Sequence, residues 1–290
     1  MKTLSSSDGR NTMHSTSKKI SQSNSFLKKQ IMNISVLIDN APGVETPTEF
    51  GLSYYIEYNG KHILFDTAQS NLFMANANKM GLDVEKTDYI VLSHGHFDHG
   101  NGLKYLKGGS LVCHSGCFAK RYRIIDKSYI GLNQTRQQVE RTFNLTSSEK
   151  PFKLFDGAFF LGQIPRVTDF ESRTTPFIFE DGSPDFVMDD SALALKVNSG
   201  IFVITGCGHS GIVNTLEHAK RVVNSEKIAG IMGGFHLKEN NRQTKETIAY
   251  LTKNKVEHVY PSHCTALPAL AEFYHAFGNK QLKAGDTIKV

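Results

Sequence analysis

Four cysteines in 290 residues are too few to staple a scaffold. A disulfide-built secreted domain is therefore excluded, and a reducing, cytoplasmic setting is the expectation. No apolar run approaches the roughly 20 residues that span a bilayer, so an integral membrane protein is excluded and no membrane partner is expected. No apolar segment of the kind that drives secretion stands near the start. An excess of one charge is also missing once the chain is divided. Residues 1–30 carry six basic side chains against Asp8 alone, which accounts for the whole net charge of +5. The rest holds 27 basic and 27 acidic residues. A balanced body offers no electrostatic footprint for nucleic acid, and none is expected as a partner.

What is present is a normal core-forming composition, 39% hydrophobic and 21% charged. Residues 1–30 are rich in Ser, Lys, Asn and Thr without apolar periodicity, so they read as a disordered tail. A single folded unit is expected over 31–290, opening on the apolar run that starts at Met32.

That unit reads as two copies of one plan. Residues 51–58 and 61–66 flank Asn59-Gly60, a hairpin signal because both turn positions favour positive φ. A helix follows near 70–80, ended by Gly81, and then the short strand 88–93. In the second copy, 191–197 and 201–205 flank Asn198-Ser199-Gly200, a helix is expected over 212–223, and a strand over 228–232. A third step adds helix 242–253, strand 256–260, helix 266–276 and a short strand near 286–290. Residues 121–190 fit neither copy. With Pro165, Pro176 and Pro184 among mixed aromatics, they read as an insertion lying over the site.

The chemistry lies in Ser93-His94-Gly95-His96-Phe97-Asp98-His99-Gly100. In an extended stretch His94 and His96 point to the same side, while Asp98 and His99 sit one turn on and face a second point. Imidazole with carboxylate suits zinc, iron or manganese, and zinc prefers about four such ligands. One loop cannot close such a shell. Further donors are expected where other strands end: Cys207 and His209, His236, and His263. Each follows an apolar strand and precedes a helix.

With these residues in view, His94-Gly-His96-Phe-Asp98-His99 resembles the His-x-His-x-Asp-His signature of the metallo-β-lactamase superfamily. Leu64-Phe65-Asp66-Thr67 resembles its strand ending in Asp-Thr-Gly, with Ala68 in place of the glycine. His263 resembles its final ligand. The resemblance implies an α+β fold, a four-layer αββα sandwich of two pseudo-repeated halves, with one or two metal ions at the sheet edge, usually zinc. It implies metal ligation by His94, His96, Asp98, His99 and His263, to which the strand-end reading adds His209. Asp98 would also act in catalysis. Departures remain: no histidine lies between His114 and His209, and Cys207 stands where a bridging Asp is usual. Cys207, His236 and Asp190 are therefore candidates for ligands or substrate contacts. Thr205-Gly-Cys-Gly-His209, Gly233-Gly-Phe-His236 and Pro261-Ser-His-Cys264 are similar to a subgroup named 7,8-dihydropterin-6-methyl-4-(β-D-ribofuranosyl)aminobenzene-5′-phosphate synthases. Such proteins join a pterin diphosphate to an arylamine.

The resulting expectation is a metal-dependent hydrolase that uses a metal-bound hydroxide on a phosphorylated or ester-type small molecule. The alternatives are a transferase condensing a dihydropterin diphosphate with an arylamine, and a non-catalytic metal-binding sensor. A homo-oligomer is compatible with all three.

Overall fold

The computed structural model describes residues 1–4, 32–278 and 281–290. The tail expected over 1–30 falls outside the described residues, apart from the exposed Met1–Leu4. Along the chain run β1 Met32–Ile38, β2 Ser53–Tyr58, β3 Lys61–Phe65, α1 Leu72–Lys79, β4 Tyr89–Val91, α2 Phe97–Gly100, β5 Ser110–Cys113 and β6 Arg121–Arg123. Then come α3 Arg136–Glu140, β7 Asn144–Ser147, β8 Phe152–Phe155, β9 Ala158–Phe160, β10 Phe177–Phe179, β11 Ala192–Val197 and β12 Gly200–Thr205. The remainder is α4 Ile212–Val223, β13 Ile228–Gly234, α5 Arg242–Lys253, β14 His258–Ser262, α6 Leu267–Phe277 and β15 Thr287–Lys289.

One sheet has the order β15-β1-β2-β3-β4-β5-β7 and the other β14-β13-β12-β11-β9-β8. Their strands carry apolar residues on both faces, as strands covered on both sides must. In β12, Phe202 and Ile204 enter the core between the sheets, while Ile201 and Val203 pack under the helices. In β3, Ile63 and Phe65 face the other sheet and Leu64 faces α1. Each such side chain contributes roughly 1.5–3 kcal/mol by leaving water. The period of two thus builds three apolar layers, and the result is the four-layer sandwich that the repeated pattern predicts.

The pairing reproduces the two halves. β2 and β3 form an antiparallel hairpin, and β3 then pairs parallel with β4 after the α1 crossover. β11 and β12 form the second hairpin, followed by parallel β13 and β14. Asn59 and Gly60 both take positive φ, as their hairpin needs. The turn at 198–200 is tighter than expected, because Gly200 is already paired with Val197. The last long strand starts at His258 rather than 256. Lys255 turns left-handed and Val256 donates to Leu251 O at 3.1 Å, so these residues close α5 before a strand can begin. In α4, Ile212, Leu216, Ala219 and Val223 recur at helical spacing and are buried against the second sheet.

Residues 121–190 do not behave as one insertion. β7 pairs parallel with β5, and β9 pairs with β11, so 144–160 extends the edges of both sheets. Only the flanking parts stand apart, joined by the two-stranded ribbon β6–β10. The apolar alternation of Ala158 and Phe160 explains this: both are buried in the core between the sheets. Among the described residues, no helix is long and apolar enough to cross a membrane.

Candidate metal centre

β4 delivers the histidine loop to the rim of the sandwich. His96 keeps an extended backbone and caps α2, so His94 and His96 precede a helical turn that carries Asp98 and His99. The change of backbone splits the motif into two facings. His94 Nε2 and His96 Nδ1 lie 3.0 Å apart, and His209 joins them in one group. Asp98 and His99 form a second group with His263. There His99 Nε2 is 3.1 Å from His263 Nε2, and Asp98 Oδ2 is 3.4 Å from His263 and 3.6 Å from His99.

Neighbouring groups decide which ring nitrogens carry protons. Asp66, at the end of β3, accepts from Ser93 N–H at 2.7 Å through Oδ1. Its Oδ2 accepts from the Ser93 hydroxyl and from His99 Nδ1–H, both at 2.7 Å. With its proton committed to Asp66, Ser93 Oγ accepts from His94 Nδ1–H at 2.9 Å. Asn40 works likewise on His263. Gly51 N–H donates to Asn40 Oδ1, which marks that atom as the acceptor for His263 Nδ1–H at 3.1 Å. His94, His99 and His263 therefore all turn Nε2, the nitrogen left free of these anchors, toward the other donors.

Two bare nitrogens 3.1 Å apart repel unless a proton or cation stands between them. Among the described residues the buried Nε2 atoms of His96 and His209 have no hydrogen-bond partner, which is costly unless a ligand supplies one. Burial first, then the neighbouring imidazoles, holds His94, His96 and His209 well below the ordinary histidine range, so they are in the neutral form that binds metal. Burial works against charge on Asp98, but His99 and His263 outweigh it and keep the carboxylate ionised. Burial also opposes charge on His99, yet Asp98 and Asp66 outweigh it and push that group up to about 9. Ligand atoms around a tetrahedral zinc lie roughly 3.3 Å apart, which matches the observed spacings. The residues present fit a divalent ion at each group.

Asp66 thus orients one histidine in each group. Asp66→Asn is expected to lower metal affinity about 10–100-fold, because an amide cannot accept from Ser93 Oγ and His99 through the same atom without turning its NH2 on Ser93 N–H. Competitive titration with a zinc indicator measures this, and unchanged affinity would remove Asp66 from its orienting role.

The other predicted residues divide. Cys207 Sγ lies 3.3 Å from His99 Nε2 and forms a group with His94 and His99, so it touches both facings. The His236 ring lies tilted against that of His209, with ring centroids 4.2 Å apart. Asp190 belongs to no candidate ligand group among the described residues. Its Oδ2 accepts from Ser210 N at 2.8 Å, and burial raises its pKa to about 6. It holds the Cys207–His209 turn instead of facing the ligands. Asp189 accepts from Gly95 N–H at 2.8 Å and from Arg121 at 2.9 Å, tying the histidine loop to β6.

Four supporting residues escaped the sequence: Asp39, Asn40, Asp66 in its orienting role, and Arg121. Asp39 accepts from His263 N–H at 3.1 Å. The only available signal was their place at strand ends, which many inert residues share.

The two groups open on a cleft of about 520 Å³. Phe50, Phe97, Ile124, Ile130 and Phe177 form apolar walls, His96, Asp98 and His209 lie on its floor, and Arg123 and Lys238 add positive charge. Lys238 Nζ donates to Cys264 O at 2.7 Å, which steadies its ammonium beside the cleft.

A family model described as the metallo-beta-lactamase superfamily matches residues 46–223. An uncharacterized protein of Methanocaldococcus jannaschii is 34% identical over 247 residues, covering 82% of this chain and 93% of its own. The 7,8-dihydropterin-6-methyl-4-(beta-D-ribofuranosyl)-aminobenzene-5′-phosphate synthase of the same organism is 30% identical over 283 residues, covering 89% of this chain and 96% of its own. The crystal structure of Tm1679, described as a metal-dependent hydrolase of the beta-lactamase superfamily, superposes with a TM-score of 0.78 at 28% identity, covering 89% of this chain and 99% of that one.

Proposed function

Because this chain belongs to the metallo-β-lactamase superfamily, we propose that it is a metal-dependent hydrolase acting on a phosphorylated or ester-type small molecule. The observation that carries this reading is the convergence of two histidine groups, one of them with an ionised Asp98, at the floor of one apolar cleft. His94, His96 and His209 on one side and Asp98, His99 and His263 on the other would hold divalent ions, whose chemistry would be to acidify a water toward a pKa of about 7 and to polarise a phosphoryl or carbonyl oxygen.

The chain's own residues supply the rest. Asp98 accepts the proton of an incoming water and aligns it, since its carboxylate faces both His99 and His263. Phe50, Phe97 and Phe177 exclude bulk water and offer ring faces to an apolar substrate portion. Arg123 and Lys238 favour an anionic group at the same opening. This combination suits a molecule with one flat apolar part and one phosphate or diphosphate.

A second reading is favoured by one finding, the relative that is named as a synthase. In that transferase reading an arylamine takes the place of water and displaces diphosphate from a dihydropterin. The same cleft would serve both reactions, with the ring against the phenylalanines and the diphosphate toward Arg123 and Lys238.

The test is a panel of phosphate monoesters, phosphate diesters, thioesters and lactones, run beside a dihydropterin diphosphate with and without an arylamine. Metal-dependent hydrolysis of a panel member supports the first reading. Release of pyrophosphate only when the arylamine is present would replace it with the second. No turnover with the metal-loaded protein across a broad panel would leave the sensor.

A further inference from the structure

One wall of the cleft carries a further set of donors beside the two groups described above. Cys207 Sγ, Cys264 Sγ and a ring nitrogen of His236 lie within 4.8 Å of one another. We propose that these three side chains hold an additional, thiophilic cation next to the two-ion centre.

Several independent features support the site. Both sulfurs are buried, and neither is in a disulfide. Among the described residues His236 Nδ1 is buried without a hydrogen-bond partner, although the ring lines the open cleft. The backbone presents this ring at a cost. His236 sits at φ 50°, the left-handed region that residues with side chains avoid, and His263 at the end of the next strand takes the same value. Such conformations persist where the surroundings impose them, and they concentrate at ligand-holding sites. β13 and β14 are parallel, with Gly234 opposite Ser262, so His236 and Cys264 leave the sheet at matching positions. Gly234 clears the space between them. A Cβ there would lie 2.7 Å from Cys264 Sγ and 2.4 Å from Gly206 O.

The donor set decides the kind of cation. Two sulfurs and an imidazole suit zinc and exclude the hard ions magnesium and calcium. Three protein donors with cleft space beyond them make an open coordination shell rather than a closed structural one. Cys207 is shared, since its sulfur also lies 3.3 Å from His99 Nε2. The added ion would therefore join the pair through one thiolate, and in that respect the proposal rests on the two-ion reading.

Metal analysis of the full chain after loading with zinc tests it. Wild type should carry three ions, and Cys264→Ser and His236→Ala should each carry two. Loading with cobalt should give a near-ultraviolet thiolate-to-metal band that weakens in Cys264→Ser while the visible bands of the other two ions persist. Equal ion counts in wild type and both variants would overturn the proposal. So would loss of every ion together, which would mean a single shared cluster. His96→Ala keeps the two ideas apart. If it loses an ion while Cys264→Ser loses none, the pair stands and the added site fails. If Cys264→Ser alone loses one, the pair is the part that fails.

Discussion

Asp98→Ala should fold normally, hold one ion fewer than wild type, and turn over at least about 100-fold more slowly. The expectation follows from its position. The carboxylate faces His263 and His99 within one group, and it lines the floor of the cleft. Among the described residues its side chain makes no hydrogen bond to the backbone of another element, while its main-chain oxygen still accepts from Leu52 N at 3.2 Å. Folding therefore does not depend on the carboxylate. His96→Ala should show the mirror result, losing the other ion and leaving the Asp98 group filled. Metal content and kcat, measured on the same preparations, check both. A variant that keeps its full metal content and wild-type turnover would remove Asp98 from the centre. Both ions lost together in either variant would mean that the two groups do not fill independently.

Arg121→Met should be the most destabilising single change away from the ligands. Arg121 is 1% exposed and sits between two carboxylates, with Asp189 at 2.9 Å and Asp185 at 3.4 Å. Burial works against the Asp189 carboxylate, but the guanidinium and the Gly95 N–H outweigh it and hold the group ionised. Removing the arginine leaves two buried acids with only Arg166 as a remaining counter-charge, which costs about 3–5 kcal/mol. For a domain of this size Tm should fall by on the order of 10 °C. The loss reaches the site as well, because Asp189 fixes Gly95 between His94 and His96. Thermal unfolding of the metal-loaded protein measures the first effect, and zinc affinity the second. Adding Asp185→Asn and Asp189→Asn to Arg121→Met should recover part of the stability, since neutral amides need no counter-ion. If Arg121→Met alone melts within a degree or two of wild type, the network carries little energy.

The fold was legible because it depends on repetition. Alternating apolar residues, the Asn59-Gly60 turn and the helical spacing over 212–223 each report a local backbone choice, and local choices are written in neighbouring residues. The two facings of the histidine motif were legible for the same reason: an extended stretch followed by one helical turn sends four side chains to two places. The segment 144–160 is less legible because its strands are only three or four residues long, too short for a period to declare itself, and their partners β5 and β11 make them part of the sheets.

By itself, then, the sequence determined the layers, the halves and the strand ends at which donors stand. Tertiary structure decided how those donors meet. Cys207 reaches His99 across 108 residues, and Asn40 reaches His263 across 223. Asp66, Asn40 and Arg121 look like ordinary polar residues in the chain. Their roles arise only where two sheets pack face to face, and their strand ends bring a lone carboxylate, amide or guanidinium within 3 Å or so of a ring or main-chain nitrogen. Hydrogen bonds and ligand shells act over that distance alone, and no local pattern encodes it.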